Sequence, residues 1–172
     1  MHEICKRNSY ILPTVYQGNY NAVTRNNEDE LFPALRKLGI SFYAYSPLAG
    51  GLLAKTPDQL KNPVQGSRFD PNTYAGKLYC NWYMQTEFLD ALDEFQRLCK
   101  EQNVRPAQAA LSWLLYHSKL QSGDAIILGA SAISQLEENL EDSEAGELSG
   151  EIVSAMGEMW GSVKAKAPAY HF

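Results

Sequence analysis

Residues 41–53 read SFYAYSPLAGGLL. An apolar, aromatic run that breaks into Ser-Pro and then a Gly pair is the pattern of a buried strand delivering its C-terminal end into a loop, and α/β proteins place ligands at such ends. Chemistry is therefore expected near Tyr45 and Ser46. Two other segments end in the same way, YILPTVYQGNYN at 10–21 and DAIILGAS at 124–131. Three strand ends opening on one side predict a shared ligand face.

Working outward, residues 1–8 read as helical turns with Ile4 and Cys5 inward and Lys6 and Arg7 near the C-terminus, where they complement the dipole. A first strand is predicted over 10–16, with Pro13 at an edge or bulge because it has no N–H to donate. Residues 28–38, EDELFPALRKL, predict a helix closed by Gly39, with Leu31, Leu35 and Leu38 as its buried stripe. Residues 54–84 are long, irregular and rich in proline and aromatics, and a stretch of that length in a compact domain predicts a partly helical lid. Helices are expected over 86–102, over 105–117 with Pro106 in the first turn, over 131–140 with Ser131 as N-cap, and over 149–163 starting from Ser149. Residues 124–128 form the last strand, and 164–172 are a tail without helical pattern. Strands and helices alternate and every strand-to-strand connection is long enough for a crossover, which predicts an α/β fold with parallel pairing in a single domain over 1–172. About three strands are too few to close a barrel, which needs about eight, so two open edges are expected.

Composition narrows the function. The 172 residues are 45% apolar and 20% charged, with a formal net charge of −5 and scattered Lys and Arg, which predicts a globular protein with no nucleic-acid partner. Cys5, Cys80 and Cys99 form no CxxC pair and are odd in number, which suits free thiols in a reducing compartment and excludes a zinc framework, so no metal is expected. With no apolar stretch near twenty residues and no signal-peptide core, the expected location is the cytoplasm and no membrane contact is predicted.

PTVYQGNYNAVTR at 13–25, ELFPALRKLGISFYAYSPLAGGLL at 30–53, GSRFDPN at 66–72 and AIILGASAISQLEENL at 125–140 resemble the second half of the aldo-keto reductases, in particular the aflatoxin-aldehyde reductase branch. The resemblance runs from about Glu3 to Phe172 with the motifs in order. It implies a partial (β/α)8 barrel, about three parallel strands with outer helices, and a site for NADP(H), the hydride donor to an aldehyde or ketone. On that resemblance Gln17 corresponds to the residue that bonds the nicotinamide carboxamide and Tyr45 to the aromatic on which the ring stacks. Ser46, Pro47, Leu48 and Gly50 resemble the loop along the pyrophosphate, and Lys55 a pyrophosphate-binding lysine. Gly129, Ala130, Ser131, Gln135, Glu138 and Asn139 resemble the site of the adenosine end. The residue types suit these roles: an aromatic at a strand end offers a flat apolar face, glycine lets backbone approach phosphate, and a helix N-terminus attracts it. The plain alternative is packing for Tyr45, Ser46 and Gly50, and an ordinary N-capped helix with an acidic face for 129–139.

Three departures from the family pattern matter. The approach to Lys55, Leu53-Ala54-Lys55, is one residue short. The family's proton-donor Tyr and its Lys, Asp and His partners belong to the first four strands, which this stretch does not match. The lid has Cys80 and Trp82 where the branch tends to carry arginines for acidic substrates, implying a less anionic, more aromatic small-molecule ligand, with Arg68, Tyr79 and Trp82 as candidate contacts and Arg68 and Asp70 as a loop-fixing pair. His117 is expected to be a helix-end histidine. Candidate acid–base groups on the strand-end face are Tyr16, Tyr45 and the tail residue His171. The expectation is a truncated reductase-like protein acting on a carbonyl or aromatic molecule through a degenerate NADP(H) half-site. The alternatives are a cofactor-independent isomerase, cyclase or dehydratase in a widened cleft, and a non-catalytic binding module. Exposed margins of a buried parallel sheet call for a cover, which predicts a homodimer or higher oligomer, or a partner supplying a half-barrel.

Overall fold

Three parallel strands carry everything else. In the computed structural model, which describes residues 1–170, they are β1 Val15–Asn19, β2 Ser41–Tyr45 and β3 Ala125–Ile126, in the order β1-β2-β3. The quoted run is thus the central strand. Val15 pairs with Ser41 and Asn19 with Tyr45 on one side, and Tyr43 with Ala125 and Ala44 with Ile126 on the other. In-register parallel neighbours project to the same side, so Tyr16, Gly18, Phe42 and Ala44 share one face and Gln17, Tyr43 and Tyr45 the other.

The first of these faces is the core side. Phe42 and Ala44 are fully buried, and Phe42 packs at 4.7 Å between ring centroids against Phe32 of helix α2, Leu31–Leu38. Tyr16 stacks on Phe42 at 5.8 Å, and both rings close over Gly18, where any Cβ would lie 2.8 Å from each. The helix ends at Gly39 in the left-handed region (φ 67°), as expected, but its buried residues are Phe32 and Leu35, while Leu38 is exposed.

The other helices are α1 His2–Arg7, α3 Pro57–Lys61, α4 Tyr74–Tyr83, α5 Thr86–Glu101, α6 Pro106–Ser112, α7 Ile133–Ser143 and α8 Gly150–Val163. Thr56 caps α3 with a full capping box and Ser149 caps α8 through the Ile152 N–H. Phe88, Leu92, Phe95 and Cys99 of α5 bury one stripe, and burial pushes the Cys99 thiol up to about 12. The Asp124 carboxylate, just before β3, accepts from Nη1 and Nη2 of Arg36 and from the Phe42 and Gln121 amides, tying α2, β2 and β3 together at the strand N-termini.

Several expectations are corrected. The first strand begins at Val15, so Pro13 lies outside it; Tyr10 and Ile11, though apolar, have no neighbouring strand and are exposed. No residue of α1 is buried, so Ile4 and Cys5 do not face inward as a stripe. The helix from 105 widens into a separate π-helical turn, Trp113–His117. The N-cap of α7 is Ala132, not Ser131; the Ser131 N–H and hydroxyl instead both donate to Gln135 Oε1.

Candidate functional site

The strand C-termini converge as the sequence predicts. β2 ends at Tyr45, beside Asn19 of β1, and the backbone then turns sharply: Ser46, Ala49, Gly50 and Gly51 have φ of 53°, 51°, 69° and 101°. Two of these are not glycine, and such strain persists only where the surroundings fix it. The fixing groups are visible. Ser46 O accepts from Asn21 Nδ2 at 3.0 Å, Ser46 Oγ meets the Tyr79 hydroxyl at 3.0 Å, and Gly50 lies against the Tyr79 ring so closely that a Cβ would sit 2.1 Å from it. The Lys55 Cε comes within 3.5 Å of where Gly51 would carry a Cβ.

A buried polar network beneath this turn was not anticipated. Asn21 Nδ2 also donates to Asn19 Oδ1, Asn19 Nδ2 donates to the Tyr83 hydroxyl, which meets Thr24 Oγ1 at 3.1 Å, and Asn27 Nδ2 donates to Asn19 O. Asn19, Asn21, Thr24 and Asn27 are all buried. The available signal was the density of Asn and Thr in GNYNAVTRNN, which propensity alone assigns to a loop. Satisfied inside, these amides instead hold the ends of β1 and β2 in one geometry. Arg25, in the same segment, lies 3.9 Å over the Trp113 ring and donates to Ala22 O and Met156 O, and burial pulls its guanidinium down to about 10.

The candidate residues divide by position. Gln17 is exposed and Tyr45 half-buried, both on the open face of the sheet; Pro47 is buried, and Leu48 and Lys55 are half-buried in the turn. Burial raises the Tyr45 phenol, with Tyr79 and Tyr16 adding to the shift. Tyr16 is on the core face of the sheet, partly buried, with its ring stacked on Phe42. His171 lies outside the described residues. Gly129, Ala130, Ser131, Gln135 and Glu138 are exposed beyond β3, and nothing lies within 4 Å of a Cβ built on Gly129. Asn139 is only 4% exposed and its Nδ2 has no hydrogen-bond partner. Within 54–84, Arg68 stacks at 5.5 Å over Tyr79, and Trp82 packs against the same ring. Asp70 fixes its loop without Arg68, by accepting from the Gly66 and Asn72 amides, which hold its carboxyl below the usual range. His117 Nε2 accepts from the Leu148 N–H at 3.0 Å, a structural role.

The strand-end face is open. A shallow hollow of about 270 Å³, lined by Leu115, Leu120, Gln121 and Ser122 among others, lies at the opposite, N-terminal end of β3, next to Asp124. Among the described residues, no group of His, Cys, Asp and Glu is arranged to hold a metal, and no helix is long and apolar enough to cross a membrane.

A family model described as the aldo/keto reductase family matches residues 1–160. The oxidoreductase sirO of Leptosphaeria maculans is 42% identical over 172 residues, covering 99% of this chain and 52% of its own length. Aldo-keto reductase family 7 member A3 of Homo sapiens is 43% identical, with 97% and 53% covered, and human aflatoxin B1 aldehyde reductase member 2 is 44% identical, with 97% and 48% covered. The chain spans about half the length of the curated relatives it matches.

Proposed function

The chain belongs to the aldo/keto reductase family, and on that premise we propose that it supplies the NADP(H)-binding half of an oxidoreductase site for a small carbonyl compound, the acid–base groups for reduction coming from outside these 172 residues. The supporting observation is that the C-terminal ends of all three strands lie side by side, with Gln17 and Tyr45 on the face left open and the 129–139 segment following the third. NADPH, when bound, supplies the hydride. The chain's own work is to hold and orient it: the Gln17 amide to the carboxamide, the Tyr45 ring beneath the nicotinamide, the turn of Ser46, Pro47, Leu48 and Gly50 along the pyrophosphate, and Gly129, Ser131, Gln135, Glu138 and Asn139 at the adenosine end.

Two details favour a fit. Lys55, despite its shortened approach, brings its Cε 3.5 Å from where Gly51 would carry a Cβ. Asn139 Nδ2 is a buried donor without a partner, which native structures rarely leave unless an outside group takes it up. Against independent reduction stands the Tyr45 phenol, raised by burial, whereas a working proton donor contributes roughly 10²–10⁴-fold only when its acidity suits the pH. Arg68 and Trp82, stacked about Tyr79, suit an aromatic or weakly polar small molecule.

Titration followed by nicotinamide fluorescence tests the reading. NADPH is expected to bind the native chain, and Tyr45→Ala, which removes the stacking face, is expected to weaken it about ten-fold, a ring contact being worth about 1.4 kcal/mol on that scale. Aldehyde is expected to cause no catalytic NADPH oxidation. Absence of NADPH binding combined with cofactor-free conversion of a small substrate would favour the non-redox isomerase, cyclase or dehydratase reading instead.

A further inference from the structure

Helix α4 meets the strand ends at two points, and both belong to one hydrogen-bonded path. The path begins at the Tyr79 hydroxyl, 3.0 Å from Ser46 Oγ. Ser46 O accepts from Asn21 Nδ2 at 3.0 Å, and the same nitrogen donates to Asn19 Oδ1 at 3.1 Å. Asn19 Nδ2 then donates at 3.4 Å to the hydroxyl of Tyr83, four residues beyond Tyr79 and so on the same face of α4. What leaves the helix at one tyrosine returns to it at the next, after passing the last residue of β1 and the residue that follows β2. A satisfied polar network rigidifies what it joins, and here both ends are anchored on one helix.

Tyr83 is the deep end of this path. It is fully buried, its ring packs edge-on against Phe88 and Trp82 at 5.5 and 6.1 Å between centroids, and its hydroxyl also meets Thr24 Oγ1 at 3.1 Å. Burial raises the phenol, against the lowering pull of its hydrogen bonds with Thr24, Asn19 and Asn21, so it stays protonated and acts by hydrogen bonding alone. The shallow end is Ser46. Its φ of 53° lies where a non-glycine residue stays only if its surroundings hold it, and its carbonyl and hydroxyl are both held from this path.

We propose that Tyr83 is a positioning residue for the strand-end turn: through Asn19 and Asn21 its hydroxyl sets where Ser46 and the residues up to Gly51 stand, although its own partners are Asn19 and Thr24. Every residue on the path is buried or half-buried and lies between 19 and 83, so the placement is a property of this stretch of chain itself. The consequence for NADPH rests on the cofactor reading above: the turn assigned to the pyrophosphate is preset from a helix outside that turn. The placement is read in the free chain without any ligand, so the two readings fail separately.

Y83F and Y20F, compared in the purified chain, test it. Y83F removes one hydroxyl and keeps the ring, so the fold is expected to be retained, as circular dichroism checks. Y20F is the control: Tyr20 is equally buried, and its hydroxyl donates to Glu28 at 2.8 Å and accepts from the Lys119 N–H at 3.0 Å, off the path. Both variants are expected to lower the urea midpoint, since each leaves buried groups short of a partner. Only Y83F is expected to move the backbone amide signals of Ser46 and of Leu48 through Gly51 in the free chain, and to weaken NADPH binding about five-fold. Displaced turn signals in Y83F, in a native chain that binds no NADPH, would uphold the positioning role and remove the cofactor reading alone. Turn signals left in place in folded Y83F, equal displacement by Y20F, or an unchanged affinity in Y83F where the native chain binds NADPH would each overturn the proposal.

Discussion

Asp124→Ala is expected to cost about 3–5 kcal/mol of stability, the range for breaking a buried, hydrogen-bonded ion pair from one side. The carboxylate side chain is 2% exposed and accepts four hydrogen bonds, at 2.9 Å from Arg36 Nη1, from Arg36 Nη2, at 2.7 Å from the Phe42 amide and at 2.8 Å from the Gln121 amide. Removing it strands two amides and a half-buried guanidinium at the N-terminal seam of β2 and β3, where the ladder is only two residues long on the β3 side. For a chain of this size the loss corresponds to a fall in melting temperature of about 6–20 °C, readable by circular dichroism. Asp124→Asn, which keeps an acceptor but loses the charge, is expected to fall between. A loss below about 1 kcal/mol for Asp124→Ala would mean that the seam does not hold the sheet.

Gly50→Ala is the second large effect. The residue has φ 69°, which costs an L side chain about 1–2 kcal/mol before any contact is counted, and the added Cβ would lie 2.1 Å from the Tyr79 ring. The ring cannot simply step aside, because its hydroxyl meets Ser46 Oγ and its faces pack on Phe69, Trp82 and Tyr83. A total of about 2–4 kcal/mol is expected in urea unfolding, together with loss of NADPH quenching. Gly51→Ala separates the two causes: φ is 101° there but the nearest atom is the flexible Lys55 Cε at 3.5 Å, so only the conformational cost should appear. Equal losses at both positions would show that crowding against Tyr79 does not matter.

How far the sequence reveals this molecule differs from element to element. SFYAYSPL discloses the central strand because a buried strand and a Ser-Pro exit are both local signals. The first strand is misplaced because Tyr10 to Leu12 have the right composition, and only the absence of a neighbour, a tertiary fact, leaves them out of the sheet. The polar network of Asn19, Asn21, Thr24 and Tyr83 joins residues up to 64 positions apart, and asparagine in a turn-rich stretch gives no warning that it will be buried. Helix α7 is misread at its start for a related reason: Ser131, before the helix, donates to the Gln135 side chain in its first turn, and Ala132 becomes the cap although its side chain has nothing to donate or accept. Tyr16 shows the limit of reading site residues from spacing. One step along a strand reverses the face, so Gln17 is exposed on the open face while Tyr16 packs on Phe42.

Backbone amide shifts recorded during titration of the chain with NADP⁺ test the central claim most directly. The expected result is that perturbations gather at the C-terminal ends of the strands, at Gln17, at Tyr45 through Gly51 and Lys55, and along 129–139. Shifts confined to the opposite end of the sheet, around Leu120 to Asp124, or no shifts at millimolar NADP⁺, would contradict it.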